Sequence, residues 1–379
     1  MDASALAALT TGLLALSAGL GLLLGAVIAN SRFCTMGAMS DWVLMGDTQR
    51  FRQWLLALLT ATLGTGTLAT LGLIDPTQSI YQIGPWPWLS ITLGGLLMGV
   101  GMVLASGCPT QMLVRLGSGN LKALLVLLVL AVTALASLRG LPAVWRVQGL
   151  DTVQWASAPP ALLGSWLSQD AGLSAPLGQA LASVLLILAL GLVIVWLQRR
   201  ARLAGEMPGL RWIWGGMAIG GLLVGMWVIS GVWGFVPEHP ETLEATFLAT
   251  ASRRMEGLSF VAPTAYWLDA WLYFSDGTKR LTLGMAVAAA VPLGAALVAW
   301  RQGLWRLQGF ADTADVLRHL AGGVLMGFGG VLAMGCTFGQ GLSGASLVSL
   351  PSLWAGLMIF LGAAATVQFQ WWWLSRQEA

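Results

Sequence analysis

Charged residues are scarce in this chain. Only 9% of its 379 residues carry charge, whereas 57% are hydrophobic and the mean hydropathy is +0.77. A soluble domain carries charge on about a quarter of its residues. The scarcity therefore excludes a soluble globular protein and predicts a multi-pass protein of the lipid bilayer. It also leaves no basic patch for nucleic acid, which we do not expect as a partner.

Cysteine and histidine are also rare, which limits the chemistry that the chain can support. Cys34, Cys108 and Cys336 are the only cysteines, no CxxC is present, and His239 and His319 lie far apart. Structural zinc and iron–sulfur sites need several such ligands at short spacing. We therefore predict no metal, no cofactor and no enzyme activity.

Carboxylates are nearly absent from the apolar runs. Asp41 and Asp269 lie in segments that can dip into the membrane, and the other carboxylates lie in loops or near helix ends. Proton-coupled carriers usually place a carboxylate within the membrane. A path short of carboxylates but supplied with arginine and helix N-termini suits an anion. The start of the chain has no basic segment, so no cleaved signal peptide is predicted.

Long apolar runs set the predicted fold class. A full membrane crossing needs about 20 residues, and short helices at membrane depth require surrounding protein or a polar cavity. We predict an all-α polytopic membrane protein with about nine transmembrane helices plus short dipping helices. The dipping segments are expected at 30–50, 106–118, 231–279 and 336–352. The crossings are expected at about 4–29, 51–73, 89–105, 120–138, 175–197, 212–230, 281–300, 320–335 and 353–374.

One stretch occurs twice in the chain. GGLLMGVGMVLASGC runs from Gly94 to Cys108, and GGVLMGFGGVLAMGC runs from Gly322 to Cys336, with eleven of fifteen positions identical. This identity indicates an internal duplication. Each copy is a short apolar helix that ends in Gly-Cys, as in a helix that stops part-way across a bilayer. Its glycines suit close helix packing equally well.

Nine crossings place the two copies in opposite orientations, because five crossings separate their starts. The predicted plan is an inverted repeat with pseudo-two-fold symmetry, in which broken helices meet near the membrane midplane, as in transporters. Residues 1–174 form the first half, 175–211 a linking helix with a basic loop, and 212–379 the second half. Thirteen basic residues against six predict that the N-terminus lies outside and the C-terminus in the cytoplasm.

The three cysteines all fall at predicted helix breaks, followed by small or polar residues. A cysteine in an apolar helix is commonly a small buried residue, but two of these hold equivalent repeat positions. Pro109 suits the first position of a new helix, whose N-terminal amides attract anions, and Gly107 and Gly335 suit the turn. Arg32 and Arg115 are candidate electrostatic guides. The predicted substrate-binding residues are Cys34, Thr35, Gly107, Cys108, Pro109, Thr110, Gly335, Cys336 and Thr337.

In these cysteine segments, the duplicated lead-in and the GSGN turn at 117–120, the chain resembles the YeeE/YedE sulfur-transport family. The resemblance implies an hourglass-shaped protein in which three cysteines line a narrow path for thiosulfate. It implies that Cys34, Cys108 and Cys336 pass the ion along by S–H hydrogen bonds, without large rocking motions. A small cytoplasmic sulfurtransferase of the TusA type is the implied partner.

Three functions remain open from the sequence. The first is uptake of thiosulfate or a related sulfur or selenium anion, such as sulfite or selenite. The second is a membrane thiol or persulfide relay that hands sulfur to a TusA-like protein, although no acid–base residue lies near a cysteine in sequence. The third is a docking subunit that does not transport, which would gain nothing from a two-sided path. Cys108-Pro109-Thr110-Gln111 departs from the family pattern of a small residue and then glycine.

Overall fold

Long helices dominate the structure. A computed structural model describes residues 3–154, 160–204, 209–238, 243–276 and 280–377, so His239 lies outside the described residues. Nine described helices have 17 or more residues, one at each predicted crossing. They are α1 (Ala3–Ser31), α3 (Gln49–Thr70), α4 (Trp88–Leu104), α6 (Leu121–Arg139), α9 (Ala175–Leu203), α10 (Arg211–Trp227), α12 (Leu283–Arg301), α13 (Thr313–Leu332) and α14 (Leu350–Gln377).

Short helices fill most of the predicted dipping segments. They are α2 (Thr35–Ser40), α5 (Pro109–Gly117) and α11 (Val261–Leu272), with π-helical turns at Asp41–Met45, Val228–Trp233 and Gly339–Gly344. Between α6 and α9 lie α7 (Leu141–Gln148) and α8 (Leu163–Ala171), and short 3₁₀ turns lie at Pro76–Gln78 and Leu150–Thr152. A hairpin of β1 (Phe235–Val236) and β2 (Thr246–Phe247) was not predicted.

Seven described segments are long and apolar enough to cross a membrane. The two long helices outside this set are α3, which contains five threonines, and α13, whose first two turns contain Asp315 and Arg318. Both pack against several other helices, so protein replaces lipid around much of their surface. The fold class of an all-α polytopic membrane protein is confirmed.

Helix pairing follows the predicted two-fold relation. Helix α1 packs on α12 as α10 packs on α3, and α4 packs on α14 as α13 packs on α6. Helix α2 contacts α14 as α11 contacts α6. Helix α9 lies outside these pairs and packs on α3 and α8. The predicted boundaries of the halves, 1–174 and 212–379, stay a prediction.

The two copies of the repeated stretch run antiparallel against each other, which makes the repeat an inverted one. A Cβ added at Gly94 would lie 2.3 Å from the backbone nitrogen of Ala333, at the far end of α13. A Cβ added at Gly101 would lie 2.8 Å from the carbonyl oxygen of Gly322, at the middle of α13. Each helix therefore ends part-way along the other. The glycines allow this contact because they carry no side chain.

Candidate functional site

Each cysteine follows a helix that ends in the same way. Arg32, Ser106 and Met334, each two residues before a cysteine, adopt left-handed backbone with φ of 56°, 59° and 58°. The next amide in each case donates to the carbonyl five residues back, from Phe33 to Ile28 at 3.3 Å, from Gly107 to Met102 at 2.7 Å and from Gly335 to Gly330 at 2.8 Å. This is the Schellman helix end. Cys34 thus has the same local geometry as the two repeated cysteines.

The turn does not need a glycine at Gly107 as the sequence analysis expected, whereas Gly335 has a φ of 159° that residues with side chains rarely adopt. The left-handed residue is the one before each glycine. The glycines instead leave room for the next segment, since a Cβ at Gly107 would lie 2.6 Å from Cε of Met112. A Cβ at Gly335 would lie 3.1 Å from Cγ of Gln340. The left-handed conformation of a residue other than glycine costs roughly 1–2 kcal/mol.

The cysteines then start the short segments. Cys34 and Cys108 are the N-cap residues of α2 and α5, and Pro109 holds the first position of α5 as predicted. The sulfur of Cys34 accepts a hydrogen bond from the Gly37 amide at 3.2 Å, and the sulfur of Cys336 accepts one from the Gly339 amide at 3.5 Å. These helix-start amides therefore point at sulfur, where they would stabilise negative charge.

A threonine accompanies each cysteine, and its hydroxyl has no partner in the part of the chain that the structure describes. Thr35, Thr110 and Thr337 are at most 2% exposed. No described residue accepts or donates a hydrogen bond at their side-chain oxygens. Buried hydroxyl groups are normally hydrogen-bonded, so these three hydroxyls beside three cysteines are candidate ligand-binding groups.

Cys108 lies between the other two cysteines. It is within electrostatic range of the sulfur of Cys34 and of the sulfur of Cys336. Cys108 and Cys336 are buried, whereas Cys34 is partly exposed. The structure therefore places the sulfur of Cys108 near both other sulfurs.

Aromatic rings pack around these cysteines, and the sequence analysis missed them. Phe338 contacts Phe33 edge-on with ring centroids 5.8 Å apart, and it contacts Phe260 in the same manner at 5.5 Å. Phe260 is the N-cap residue of α11, the helix that corresponds to α2, so it stands where a fourth cysteine would lie. All three rings are buried.

Two glutamines are further residues that sequence reasoning missed. Gln340 donates from Nε2 to the carbonyls of Ala333 at 3.0 Å and Met334 at 2.9 Å, which braces the break before Cys336. The Oε1 atoms of Gln340 and Gln111 are buried without a partner among the described residues. Their similar positions, four and three residues after a cysteine, were the signal that could have identified them.

A polar cavity of about 430 Å³ opens at the Cys34 end of the three cysteines. We call it the Cys34 cavity; its lining includes Arg32, Cys34, Arg50, Gln111 and Arg115. Arg50 pairs with Asp41 at 3.2 Å. Arg115 and Arg50 lie within electrostatic range of the Cys34 sulfur. The two predicted guides, Arg32 and Arg115, thus both face the cavity that contains Cys34.

Two adjoining cavities of about 280 Å³ each lie at the opposite end. The Gly335 cavity is lined by Gly335, Ser259, Glu256 and Tyr266 among others. The arginine cavity shares Tyr266 with it and is lined by Arg139, Arg253 and Arg280. Asp269, which pairs with Arg139 at 2.9 Å, is the carboxylate in its lining. The sequence analysis did not single out these arginines.

A polytopic helical fold with cavities at opposite ends of α12, and with buried thiols and unpartnered hydroxyls at its helix breaks, fits the class of membrane transport proteins. Within the described ranges, no group of three or more His, Cys, Asp or Glu side chains could hold a metal ion. Sulfur and hydroxyl donors, together with arginine at both ends, suit a small anion that leaves its water behind.

Comparison with known proteins gives the family. The profile of the family described as "Sulphur transport" matches residues 30–365, so the chain belongs to this family. It is 28% identical over 348 residues to "Thiosulfate transporter TsuA" of Escherichia coli (strain K12), covering 90% of each chain.

Two further relatives agree with this assignment. The chain is 27% identical over 357 residues to "Thiosulfate transporter TsuA" of Spirochaeta thermophila, covering 93% of this chain and 96% of that one. It is 29% identical over 188 residues to "Probable transporter YedE" of Salmonella typhimurium, covering 48% of this chain and 41% of that one. The predicted YeeE/YedE membership is confirmed.

The orphan hydroxyls allow a sharp test of the site. Thr110→Val and Thr337→Val should lower transport several-fold and leave thermal stability unchanged, because an unpaired buried hydroxyl contributes nothing to folding. Thr65→Val is the matched control, since the Thr65 hydroxyl is buried and bonded to Ala61 at 2.9 Å and to Ser346 at 2.8 Å. That variant should lose about 1 kcal/mol of stability. Equal destabilisation of all three variants would contradict a ligand-binding role for Thr110 and Thr337.

Proposed function

We propose that this protein takes up thiosulfate, or a closely related small sulfur anion, along a path lined by Cys34, Cys108 and Cys336. The observation that carries the proposal is the threefold repetition of one break, in which a cysteine and an unpartnered threonine hydroxyl stand together. Two relatives that match nearly the whole chain are named thiosulfate transporters.

The chemistry of the path fits this substrate. Thiosulfate carries charge on oxygens and on a terminal sulfur. Thiol S–H groups are weak, polarisable donors that suit the sulfur, whereas the hydroxyls of Thr35, Thr110 and Thr337 suit the oxygens. A small anion loses water among the buried rings of Phe33, Phe260 and Phe338, and each cysteine site replaces part of that hydration. The ion moves from one sulfur to the next without a large movement of helices.

The proposed orientation is N-terminus outside and C-terminus in the cytoplasm of a bacterial inner membrane. Arg32, Arg50 and Arg115 lie at the Cys34 end, where the positive-inside rule favours the cytoplasm. The arginine cavity then faces outward and collects the anion, which meets Cys336, Cys108 and Cys34 in that order. A TusA-like acceptor on the cytoplasmic side follows from the family resemblance alone and stays a prediction.

Uptake into vesicles that contain only the purified protein tests the function. Labelled thiosulfate should accumulate inside as intact thiosulfate, whereas sulfite and selenite should enter more slowly. Label that stays on the protein, with a mass increase of one sulfur at a cysteine, would instead support a persulfide relay. If vesicles that contain properly folded protein take up no label, the result would contradict transport altogether.

Replacing the arginines of the arginine cavity should weaken the affinity for the anion, and added salt should reduce this effect. Arg253→Gln and Arg280→Gln should each raise the KM for the anion about three- to tenfold at low salt, because these arginines raise the local anion concentration. The difference from wild type should shrink as ionic strength rises. Arg301→Gln, an exposed arginine at the Cys34 end of α12, is the matched control and should behave as wild type. A change in KM that salt does not reduce would point to a structural role.

A further inference from the structure

A carboxylate lies beside the path in the Gly335 cavity. Glu256 lines this cavity together with Gly335, the residue before Cys336. Its Oε1 accepts hydrogen bonds from the Ser252 amide at 2.9 Å and the Ser252 hydroxyl at 2.7 Å. Its backbone carbonyl accepts one from the Ser230 hydroxyl at 2.7 Å. Glu256 is therefore held in one position, next to the place where an anion would approach Cys336.

The surroundings of Glu256 disfavour its charge. Leu138, Val261 and Val331 form apolar walls of the same cavity. Burial raises the pKa of Glu256, and the hydrogen bonds from Ser252 and Ala251 oppose this only in part. The titratable groups that face it from the elements around the cavity are Tyr81, which precedes α4, Arg146 of α7 and Tyr266 of α11. On the segment of Glu256 itself, Arg253 lines the arginine cavity and Arg254 donates to the Gln82 carbonyl at 3.1 Å.

The cation in the Gly335 cavity does not offset Glu256, because Arg146 is paired with Asp151 at 2.9 Å. An ionised Glu256 and an anion would therefore face each other in a small, poorly solvated space. Like charges repel strongly there because little water screens them. A protonated Glu256 removes the repulsion and offers an O–H donor to the anion.

We propose that Glu256 is the proton-controlled gate of the path: the anion occupies the Gly335 cavity only when this carboxyl is protonated. The inference rests on the proposed function and adds to it a residue that senses pH on the Cys336 side. Binding and protonation favour each other, so the apparent affinity for the anion is highest at acid pH. It falls as pH rises through the pKa of Glu256. Arginines set the anion concentration, and Glu256 sets the pH at which the anion enters.

The test is the pH profile of thiosulfate uptake into vesicles, with the external pH varied from about 5 to about 9. Above the pKa of Glu256, the wild-type KM should rise up to about tenfold per pH unit, as for one linked proton. Glu256→Gln keeps an acceptor for Ser252 and mimics the protonated form. Its KM should stay at the acid value across the range. Glu244→Gln, at an exposed carboxylate upstream on the same segment, should keep the wild-type profile.

A second variant keeps the inference testable if Glu256→Gln folds poorly. Ser252→Ala removes the hydroxyl that stabilises the ionised carboxylate, so the wild-type profile should move to higher pH without changing shape. A wild-type profile without pH dependence, or a Glu256→Gln profile that keeps the wild-type slope, would overturn the gate while leaving transport intact. Absence of uptake by the wild type at every pH would instead overturn the proposed function, and the gate with it.

Discussion

Replacement of Cys108 by serine should reduce thiosulfate uptake at least about tenfold, a loss of about 1.4 kcal/mol in the stabilisation of the passing ion. Cys108 is the middle sulfur, within electrostatic range of both others, and it is 2% exposed. Serine has nearly the same shape but lacks the polarisable sulfur. The helix break should survive, because the sulfur of Cys108 makes no capping hydrogen bond in α5. Uptake of labelled thiosulfate, with membrane expression and thermal stability measured in parallel, checks this.

The other cysteines and one control make the result specific. Cys336→Ser and Cys34→Ser should also reduce uptake, with the smaller effect at Cys34 because its sulfur is partly exposed to the Cys34 cavity. Ala201→Ser introduces the same hydroxyl at a buried position on α9, away from both ends of the path, and should transport normally. Normal uptake by a folded Cys108→Ser protein would show that the thiols serve packing only.

A large loss of stability is expected at the crossing of α4 and α13. Gly101→Ala places a Cβ 2.8 Å from the Gly322 carbonyl oxygen and 2.8 Å from the Met326 nitrogen, both backbone atoms that cannot move aside. The helices must separate, at a cost of about 1–3 kcal/mol for overpacking. The melting temperature in detergent should fall, and uptake should fall with it because both helices lead directly to a cysteine.

Gly221→Ala provides the matched control for this change. Gly221 lies on α10, and a Cβ added there meets no atom within 4 Å. Alanine should leave the protein unchanged or stabilise it by about 0.5–1 kcal/mol, because it favours helix more than glycine does. Equal melting temperatures for Gly101→Ala and Gly221→Ala would mean that α4 and α13 do not touch through their glycines.

The long helices and the inverted repeat were predictable because they depend on local composition and on a visible duplication. Fifteen residues with eleven identities fix which helices correspond, and an odd number of crossings between them fixes their relative direction. The antiparallel contact of Gly94 with Ala333 agrees with that argument. Pro109 was also predictable, since its missing N–H favours the first position of a helix.

The common geometry of the three breaks was not predictable from the residues that form it. A Schellman end usually shows itself by glycine at the left-handed position, but here Arg32, Ser106 and Met334 hold it. No sequence match links Cys34 to the other cysteines, because the corresponding residue of the second half is Phe260 rather than cysteine. The equivalence of Cys34 is therefore a property of the backbone and not of the aligned sequence.

The contacts that shape the path depend on residues far apart in the chain. Phe33, Phe260 and Phe338 meet only when α1, α11 and the Cys336 segment come together. In the sequence, Glu256 is one of several carboxylates in a polar segment. Only the folded chain brings it beside Gly335. Composition alone indicated a membrane path without carboxylates, whereas the structure adds one at its Cys336 end.

The most direct test of the central claim is to locate the anion in the protein. Crystals soaked with selenosulfate, in which selenium replaces the terminal sulfur of thiosulfate, should give an anomalous selenium peak within about 4 Å of a cysteine sulfur, the distance of a hydrogen bond to sulfur. Peaks at Cys336, Cys108 and Cys34, with the oxygens toward the threonine hydroxyls, would agree with the proposed path. Selenium found only in the arginine cavity, or between helices away from all three sulfurs, would contradict it.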